Sequence, residues 1–185
     1  MLETIERRFR EVAPVADYCS LRFVRRREQW LAVRQDVPLP PGSSTDAGVM
    51  ITVIRGGGLG YAATCDLSTA GLSDAAKRAA EWADATAGRC VVDFSKIAMP
   101  TPNGEYAGPD AKPWEGVSVK DKFELLMAES RRLKAHEKIV DWQASLHHLA
   151  VETLLVTADG GRAYQKLSLM VPDLSATANE GALTP

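Results

Sequence analysis

Residues 46–66, with the sequence DAGVMITVIRGGGLGYAATCD, constrain the fold more than any other stretch of the chain. Val49, Ile51 and Val53 alternate with residues that point the other way, which is the period-two pattern of a β-strand. The glycines at 56–58 allow a positive φ where the chain reverses, and the alternation then resumes. The stretch therefore predicts a β-hairpin.

The same glycines also invite a phosphate-binding loop, because Gly56, Gly58 and Gly60 leave backbone amides open to an anion. Such a loop leads from a strand into a helix whose N-terminus faces the anion. Residues 60–64 instead continue as strand. We therefore favour the hairpin over a nucleotide site.

The size and charge of the chain favour a small globular protein. Its 185 residues are enough for one hydrophobic core. A net charge of −2 argues against nucleic-acid or membrane surfaces, since both partners are anionic. The basic run Arg25–Arg27 is interpreted as solvated charges at a strand end.

The cysteines and the apolar runs bear on the cellular compartment. The three cysteines are widely spaced and form no CxxC pair, which favours a reducing compartment over a disulfide framework or a thiolate zinc site. No apolar run reaches the ~18 residues of a membrane span, and the N-terminus lacks the apolar segment of a secretory signal. We predict a cytoplasmic protein.

The other periodicities predict an α+β fold, with an antiparallel-rich mixed sheet and about three helices packed on it. The predicted helices run from Leu2 to Val12, from after Ser68 to about Ala87, and from after Ser118 to about Ala135. The predicted strands beside the hairpin are 18–26, 28–35, 138–149, 151–158 and 162–171, with one more beginning at 174–178. The second helix has a buried stripe of mostly alanine, so it should lie close to the sheet.

Residues 100–113, PTPNGEYAGPDAKP, are rich in proline and glycine, so we predict that they sustain neither a strand ladder nor a helix. Tyr106 and Trp114 are interpreted as anchors to the core rather than as exposed peptide-recognition aromatics, because aromatic surface is costly to leave in water. We therefore expect one domain, 1–185, with two halves, 1–98 and 114–185, joined by a Pro/Gly-rich loop at 99–113.

Few residues suggest catalysis. His136, Glu137 and Asp141 faintly resemble a metallopeptidase helix, but the string leaves a helix and enters a strand, so its members cannot share one helical face. His147 and His148 point to opposite faces of a strand and cannot bind one metal together. We interpret one as partly exposed and the other as a polar residue at a rim. Taken alone, the residues show no catalytic centre.

Three stretches resemble the N-terminal domain of the TldD/PmbA family: 16–35 (ADYCSLRFVRRREQWLAVRQ), 44–67 (STDAGVMITVIRGGGLGYAATCDL) and 172–181 (PDLSATANEG). Members of this family are cytoplasmic metallopeptidases of bacteria and archaea, also described as modulators of DNA gyrase. The resemblance implies a two-domain protein that dimerises and encloses a cavity. It also implies cleavage of unfolded peptides by zinc, held in an HExxxH helix with a further ligand nearer the C-terminus.

The sequence contains no HExxxH string, so the resemblance assigns no catalytic, cofactor-binding or metal-binding residue to any position. Zinc is expected only in a C-terminal half, which we expect to begin near residues 181–185. We therefore expect either the N-terminal, cavity-forming and dimerisation part of a peptidase, inactive by itself, or a stand-alone, non-catalytic module that binds a peptide or a partner.

The resemblance also sets the expected partners. They are unfolded peptide and a TldD/PmbA-type subunit, in a homo- or hetero-oligomer, with no nucleic acid and no membrane. We further expect the last strands to lack neighbours, which would leave a sheet edge for self-association or strand addition. The charge balance gives no support to a role at DNA gyrase.

Overall fold

The computed structural model describes residues 1–181. Its helices and strands follow in the order α1 (Leu2–Val12), β1 (Tyr18–Arg34), β2 (Val37–Pro38), β3 (Gly42–Arg55), β4 (Gly58–Thr64), α2 (Thr69–Thr86), β5 (Asn103–Ala107), α3 (Val119–Leu133), β6 (Ile139–Thr157) and β7 (Arg162–Ala178). The prediction that a catalytic half begins near the end of this sequence falls on residues 182–185, outside the described part.

Over these described residues, seven strands form one sheet in the order β4-β3-β1-β6-β7-β5, with β2 paired to β1. The β3–β4 and β1–β2 pairs are antiparallel, and the β5–β7 pair is parallel. The sheet is thus mixed and mostly antiparallel. This confirms the predicted α+β class and its three helices.

The chain divides into two compact units, neither of which is one continuous stretch of sequence. The first comprises Met1–Arg25, Asp46–Ala107 and Val151–Lys166; the second comprises Arg26–Thr45, Gly108–Ala150 and the chain from Leu167 onward. The division into the consecutive parts 1–98, 99–113 and 114–185 stays a prediction.

In the first unit, the predicted hairpin is confirmed. Gly56 and Gly57 have φ values of 54° and 76°, and Gly58 already pairs with Arg55 as the first residue of β4. A Cβ on Gly60 would lie 2.0 Å from the backbone O of Ala79 in α2. The later glycines of the run are therefore required by the close approach of the helix, and not by an anion.

The helix α2 lies close to the sheet, as its alanine stripe predicts. The Ser68 hydroxyl accepts a hydrogen bond from the N–H of Gly71, 3.1 Å away, which confirms the predicted N-cap. Leu72 and five alanines of α2 are buried. They pack in one core with Ile5 and Phe9 of α1 and with inward-pointing residues of four strands.

In the second unit, α3 covers a smaller core made of Leu31, Val33, Trp114, Leu126, Ala144 and Leu146. The Ser118 hydroxyl caps α3 by accepting from the N–H of Asp121, as predicted. The turn between β1 and β2 places Gln35 and Asp36 at positive φ, 50° and 60°. The buried Ser130 of α3 holds this turn, because its hydroxyl donates to the Asp36 carboxylate and accepts from the Asp36 N–H.

The structure corrects several strand predictions. Each of the predicted pairs 18–26 with 28–35 and 138–149 with 151–158 is one continuous strand, β1 and β6, and the predicted strand at 174–178 belongs to β7. The run Arg25–Arg27 therefore lies within β1 and not at a strand end. Its charges are placed by ion pairs, Arg25 with Glu152 and Arg26 with Glu28.

The Pro/Gly-rich segment was also predicted wrongly in part. Residues 103–107 form the strand β5, which pairs with β7 from Asn103↔Arg162 to Ala107↔Lys166. The prolines flank this strand and do not interrupt it, and a strand at the end of the order needs hydrogen bonds on one side alone. Trp114 is buried, as predicted for an anchor, whereas Tyr106 is exposed.

Candidate functional site

The outer edge of β7 is open over its second half. β5 accompanies β7 only as far as Lys166, and from Leu167 to Ala178 no described strand lies on that side. Large apolar side chains stand exposed along this stretch, with exposed fractions of 37% for Leu167, 50% for Leu169 and 59% for Met170. We call Leu167–Ala178 the β7 edge.

The backbone of the β7 edge presents hydrogen-bonding groups to this open side. The N–H of Arg162 donates to the O of Pro102, 2.6 Å away, on the β5 side of the strand. Alternate residues of a strand direct their N–H and C=O groups to the same edge. Ser168, Met170 and Leu174 therefore direct theirs to the open side.

The outer edge of β4, the first strand in the order, is covered in part by side chains of α2. The hydroxyl of Thr86 lies 3.0 Å from the N of Leu59 and 2.9 Å from its O, and Arg78 donates to the O of Ala63. Two side chains spaced eight residues apart on α2 therefore satisfy polar groups that β4 directs outward. Covering an edge in this way prevents the pairing of another chain.

An aromatic cluster supports the β7 edge within the second unit. The ring of His148 stacks on Trp114, with ring centroids 4.8 Å apart and planes inclined by 4°. Nε2 of His148 lies 3.0 Å from the hydroxyl of Ser168 in β7. Lys122 donates to the Trp114 O at 2.7 Å, and its ammonium lies 3.6 Å from the centroid of the indole.

Burial sets the protonation of this cluster. Desolvation lowers the pKa of His148 and also that of Lys122, since both side chains are almost completely buried. His148 is therefore neutral at pH 7. A cavity of about 240 Å³ lies beside the cluster and is lined in part by Arg27, Glu115 and His148.

A family model and solved structures place this architecture among known proteins. The model of the PmbA/TldA metallopeptidase domain 1 matches residues 19–83, which span β1, the hairpin and most of α2. Over these residues the chain is similar to the N-terminal domain of the TldD/PmbA family. Three solved structures share its fold, as described next.

The chain superposes on proteins from three organisms, which shows a shared fold. A candidate modulator of DNA gyrase from Bacteroides thetaiotaomicron has a TM-score of 0.73 and 16% identity, and the match covers 100% of this chain and 42% of that one. Another candidate modulator, from Thermotoga maritima, has a TM-score of 0.69 and 16% identity, with 99% of this chain and 41% of that one covered. TldE from Thermococcus kodakarensis has a TM-score of 0.70 and 18% identity, with 98% of this chain and 40% of that one covered. The chain thus spans about two fifths of each. No curated protein sequence matches it.

In this fold, the string that resembles a metallopeptidase helix is dispersed. α3 ends at Leu133, so His136 and Glu137 lie beyond it and are exposed. Asp141 lies in β6, where Arg34 donates two hydrogen bonds to its carboxylate at 2.9 and 2.8 Å. This pairing lowers the pKa of Asp141.

The two adjacent histidines do face opposite ways. His147 approaches Glu28 at 3.3 Å and is half exposed, while His148 reaches Ser168 and Trp114. The interpretation of the second histidine as a rim residue is wrong, because His148 is buried. Its partners come from positions 114 and 168, so period-two alternation could place His148 on a face but could not identify the stack.

The described residues do not fit the zinc that the resemblance to the TldD/PmbA family implies. Among residues 1–181, no three His, Cys, Asp or Glu side chains lie close enough to hold a metal ion. Burial raises the pKa of the Cys19 thiol to about 12, which leaves it protonated and unsuited to nucleophilic attack. None of the helices in these residues has the length and apolar character of a membrane-spanning helix.

Proposed function

We propose that this TldD/PmbA domain binds an extended segment of unfolded polypeptide by strand addition to the β7 edge, as the first domain of a metallopeptidase. The observation that supports the proposal is the open ladder from Leu167 to Ala178. Backbone N–H and C=O groups in a row are matched by the backbone of another strand. The domain also contributes to a cavity and to subunit association in the proposed enzyme.

The chemistry of the β7 edge favours uncharged, apolar segments. Asp173 is the single charged residue in 167–178. Leu167, Leu169 and Val171 alternate with Met170, so exposed apolar side chains flank an added strand on both faces of the sheet. Such segments are buried in folded proteins and become available when a protein unfolds.

The role proposed for these residues is to hold the segment extended, and not to cut it. Since the described residues do not fit zinc, no catalytic step is assigned to this chain. The solved relatives are more than twice as long as the part they share with it. We propose that the hydrolytic chemistry of the enzyme lies in a part that corresponds to the remaining length of these relatives.

Fluorescence anisotropy tests the binding step. The 185-residue chain is titrated into a fluorescein-labelled decapeptide of alternating valine and threonine that ends in one lysine. A matched peptide carries an N-methyl group on every residue, which removes the backbone donors on both edges of the peptide strand. We expect saturable binding of the first peptide and at least a tenfold loss with the second. Equal binding of both, or binding of neither, would contradict strand addition.

A stand-alone binding module is the second candidate, and the same open edge favours it, because strand addition needs no catalytic group. Its occupant would be a peptide or a TldD/PmbA-type partner subunit. The intact mass of the protein in its native cells separates the candidates: a mass near 20 kDa favours the module, and about twice that mass or more favours the peptidase. Metal-dependent cleavage of the decapeptide by the native protein would then exclude a purely binding role.

Both candidate functions include association with another subunit, and self-association of the chain tests this. We expect the isolated chain to self-associate through its open edge, in a way that the decapeptide competes with. Sedimentation velocity at increasing protein concentration measures this. A clean monomer throughout would count against an edge that pairs.

A further inference from the structure

We propose that Pro172 determines which segments the β7 edge accepts, because it divides the edge into two short tracts, Leu167–Val171 and Asp173–Ala178. The inference rests on the proposed function, since it concerns the peptide bound there. It goes further in naming a residue that limits the length of the bound strand. The preferred ligand is an apolar segment of about five residues, and not a long regular strand.

The direction of the Pro172 nitrogen follows from the register of β7. Arg162 donates its N–H toward β5, at the side that becomes open beyond Lys166. Pro172 lies ten residues further along the same continuous strand, so its nitrogen faces the same side. The missing N–H of Pro172 therefore costs the β6–β7 ladder nothing, and the loss falls entirely on an added strand.

Each tract has its own set of outward-facing groups. The first offers the N–H and C=O groups of Ser168 and Met170, and the second begins with those of Leu174. Between them, Pro172 provides a carbonyl but no donor. A strand that crosses from one tract to the other leaves one of its own carbonyls without a partner on β7, whereas a segment confined to the first tract leaves none.

The first tract is also the better anchored of the two. The Ser168 hydroxyl lies within hydrogen-bond distance of Nε2 of the buried His148, whose ring stacks on Trp114. Residues 171–178 are all exposed, so the second tract has no comparable support from the core. We therefore place the five-residue segment on Leu167–Val171.

Peptides of two lengths test the role of Pro172. A Val/Thr pentapeptide and the decapeptide, both labelled with fluorescein, are titrated with the wild-type chain and with Pro172→Ala. The substitution supplies one outward donor, so the ratio of the two affinities should shift about fivefold in favour of the decapeptide, the effect of one hydrogen bond. The affinity for the pentapeptide should stay within twofold.

Asp173→Ala is the matched control, because the N–H of residue 173 faces β6. It should leave the ratio of affinities unchanged. An unchanged ratio in Pro172→Ala, with both peptides bound, would overturn the role of Pro172 and leave the proposed function standing. If the wild-type chain bound neither peptide, the proposed function itself would fail.

A pair of proline substitutions tests the register without any ligand. Met170→Pro removes an outward N–H, so the thermal unfolding midpoint should fall by no more than a few degrees. Leu169→Pro removes an N–H that faces β6, so the midpoint should fall at least twice as far. Circular dichroism measures both. Equal losses would show that the outward positions are assigned wrongly and would overturn the inference.

Discussion

Replacing Gly60 by alanine should separate α2 from the sheet. A Cβ at this position would lie 2.0 Å from the O of Ala79 and 2.4 Å from the N of Ala83. Both are backbone atoms of a helix, so no side-chain rotation relieves the overlap. Because ordinary contacts begin at 3.4 Å, the helix must retreat from β4 by more than 1 Å.

The cost of that retreat follows from what α2 buries. Leu72 and the five buried alanines contribute about 6 kcal/mol of apolar burial. A gap of up to 1 Å already forfeits roughly a quarter to a half of the dispersion energy across it. We therefore expect Gly60→Ala to lower the free energy of unfolding by about 3 kcal/mol, a large part of the stability of a small domain.

Urea denaturation followed by circular dichroism measures this loss. With a slope of about 2–3 kcal/mol per M, the midpoint should fall by about 1 M or more. The matched control is Gly104→Ala in β5, where an added Cβ has no other atom within 4 Å. Its free energy of unfolding should equal that of wild type or exceed it by up to about 1 kcal/mol. Equal midpoints for the two variants would refute the argument from close approach.

Three further substitutions test the second unit. Ser130→Ala removes both hydrogen bonds that hold the Asp36 turn, so the unfolding free energy should fall by about 1–3 kcal/mol in the same urea assay. Arg34 lowers the pKa of Asp141, so the Arg34–Asp141 ion pair stabilises the folded protein fully above the pKa of Asp141 in the unfolded chain, about 3.9. This stabilisation is lost as the pH falls through the lower pKa of Asp141 in the folded protein. The difference in thermal midpoint between wild type and Asp141→Asn should therefore shrink from pH 6 to pH 3, and a constant difference would contradict it. Burial lowers the pKa of His148, so the folded state resists protonation and stability falls as pH drops below about 6.5. The midpoint of wild type should fall more than that of His148→Gln between pH 7.5 and 5.5, and parallel curves would argue against a buried neutral histidine.

Local signals were sufficient where the fold depends on local geometry. The hairpin at 46–66 and the caps Ser68 and Ser118 were predictable, because turn glycines and N-cap hydroxyls act within a few residues. The break near Arg27 was predicted wrongly, since a run of charges resembles a strand end. β1 lies between β3 and β6 in the strand order, so its backbone pairs with strands on both sides and it continues as one strand past the charged residues.

The candidate site depended on contacts that the sequence does not reveal. β5 was missed because a short segment between prolines becomes a strand only when a distant neighbour, here β7, pairs with it. The stack of Trp114 on His148 likewise joins residues 34 positions apart. An unpaired edge was expected at the last strands, but which groups of β7 face outward depends on its pairing with β5.

The contrast between the two ends of the strand order limits how large an assembly can grow by backbone pairing. Thr86 and Arg78 block β4, whereas β7 is open. Two copies joined β7 to β7 would place β4 at both ends of the combined strand order, while the outer side of each β5 has no described neighbour. Strand addition at β7 would therefore not propagate through the β4 end of the sheet.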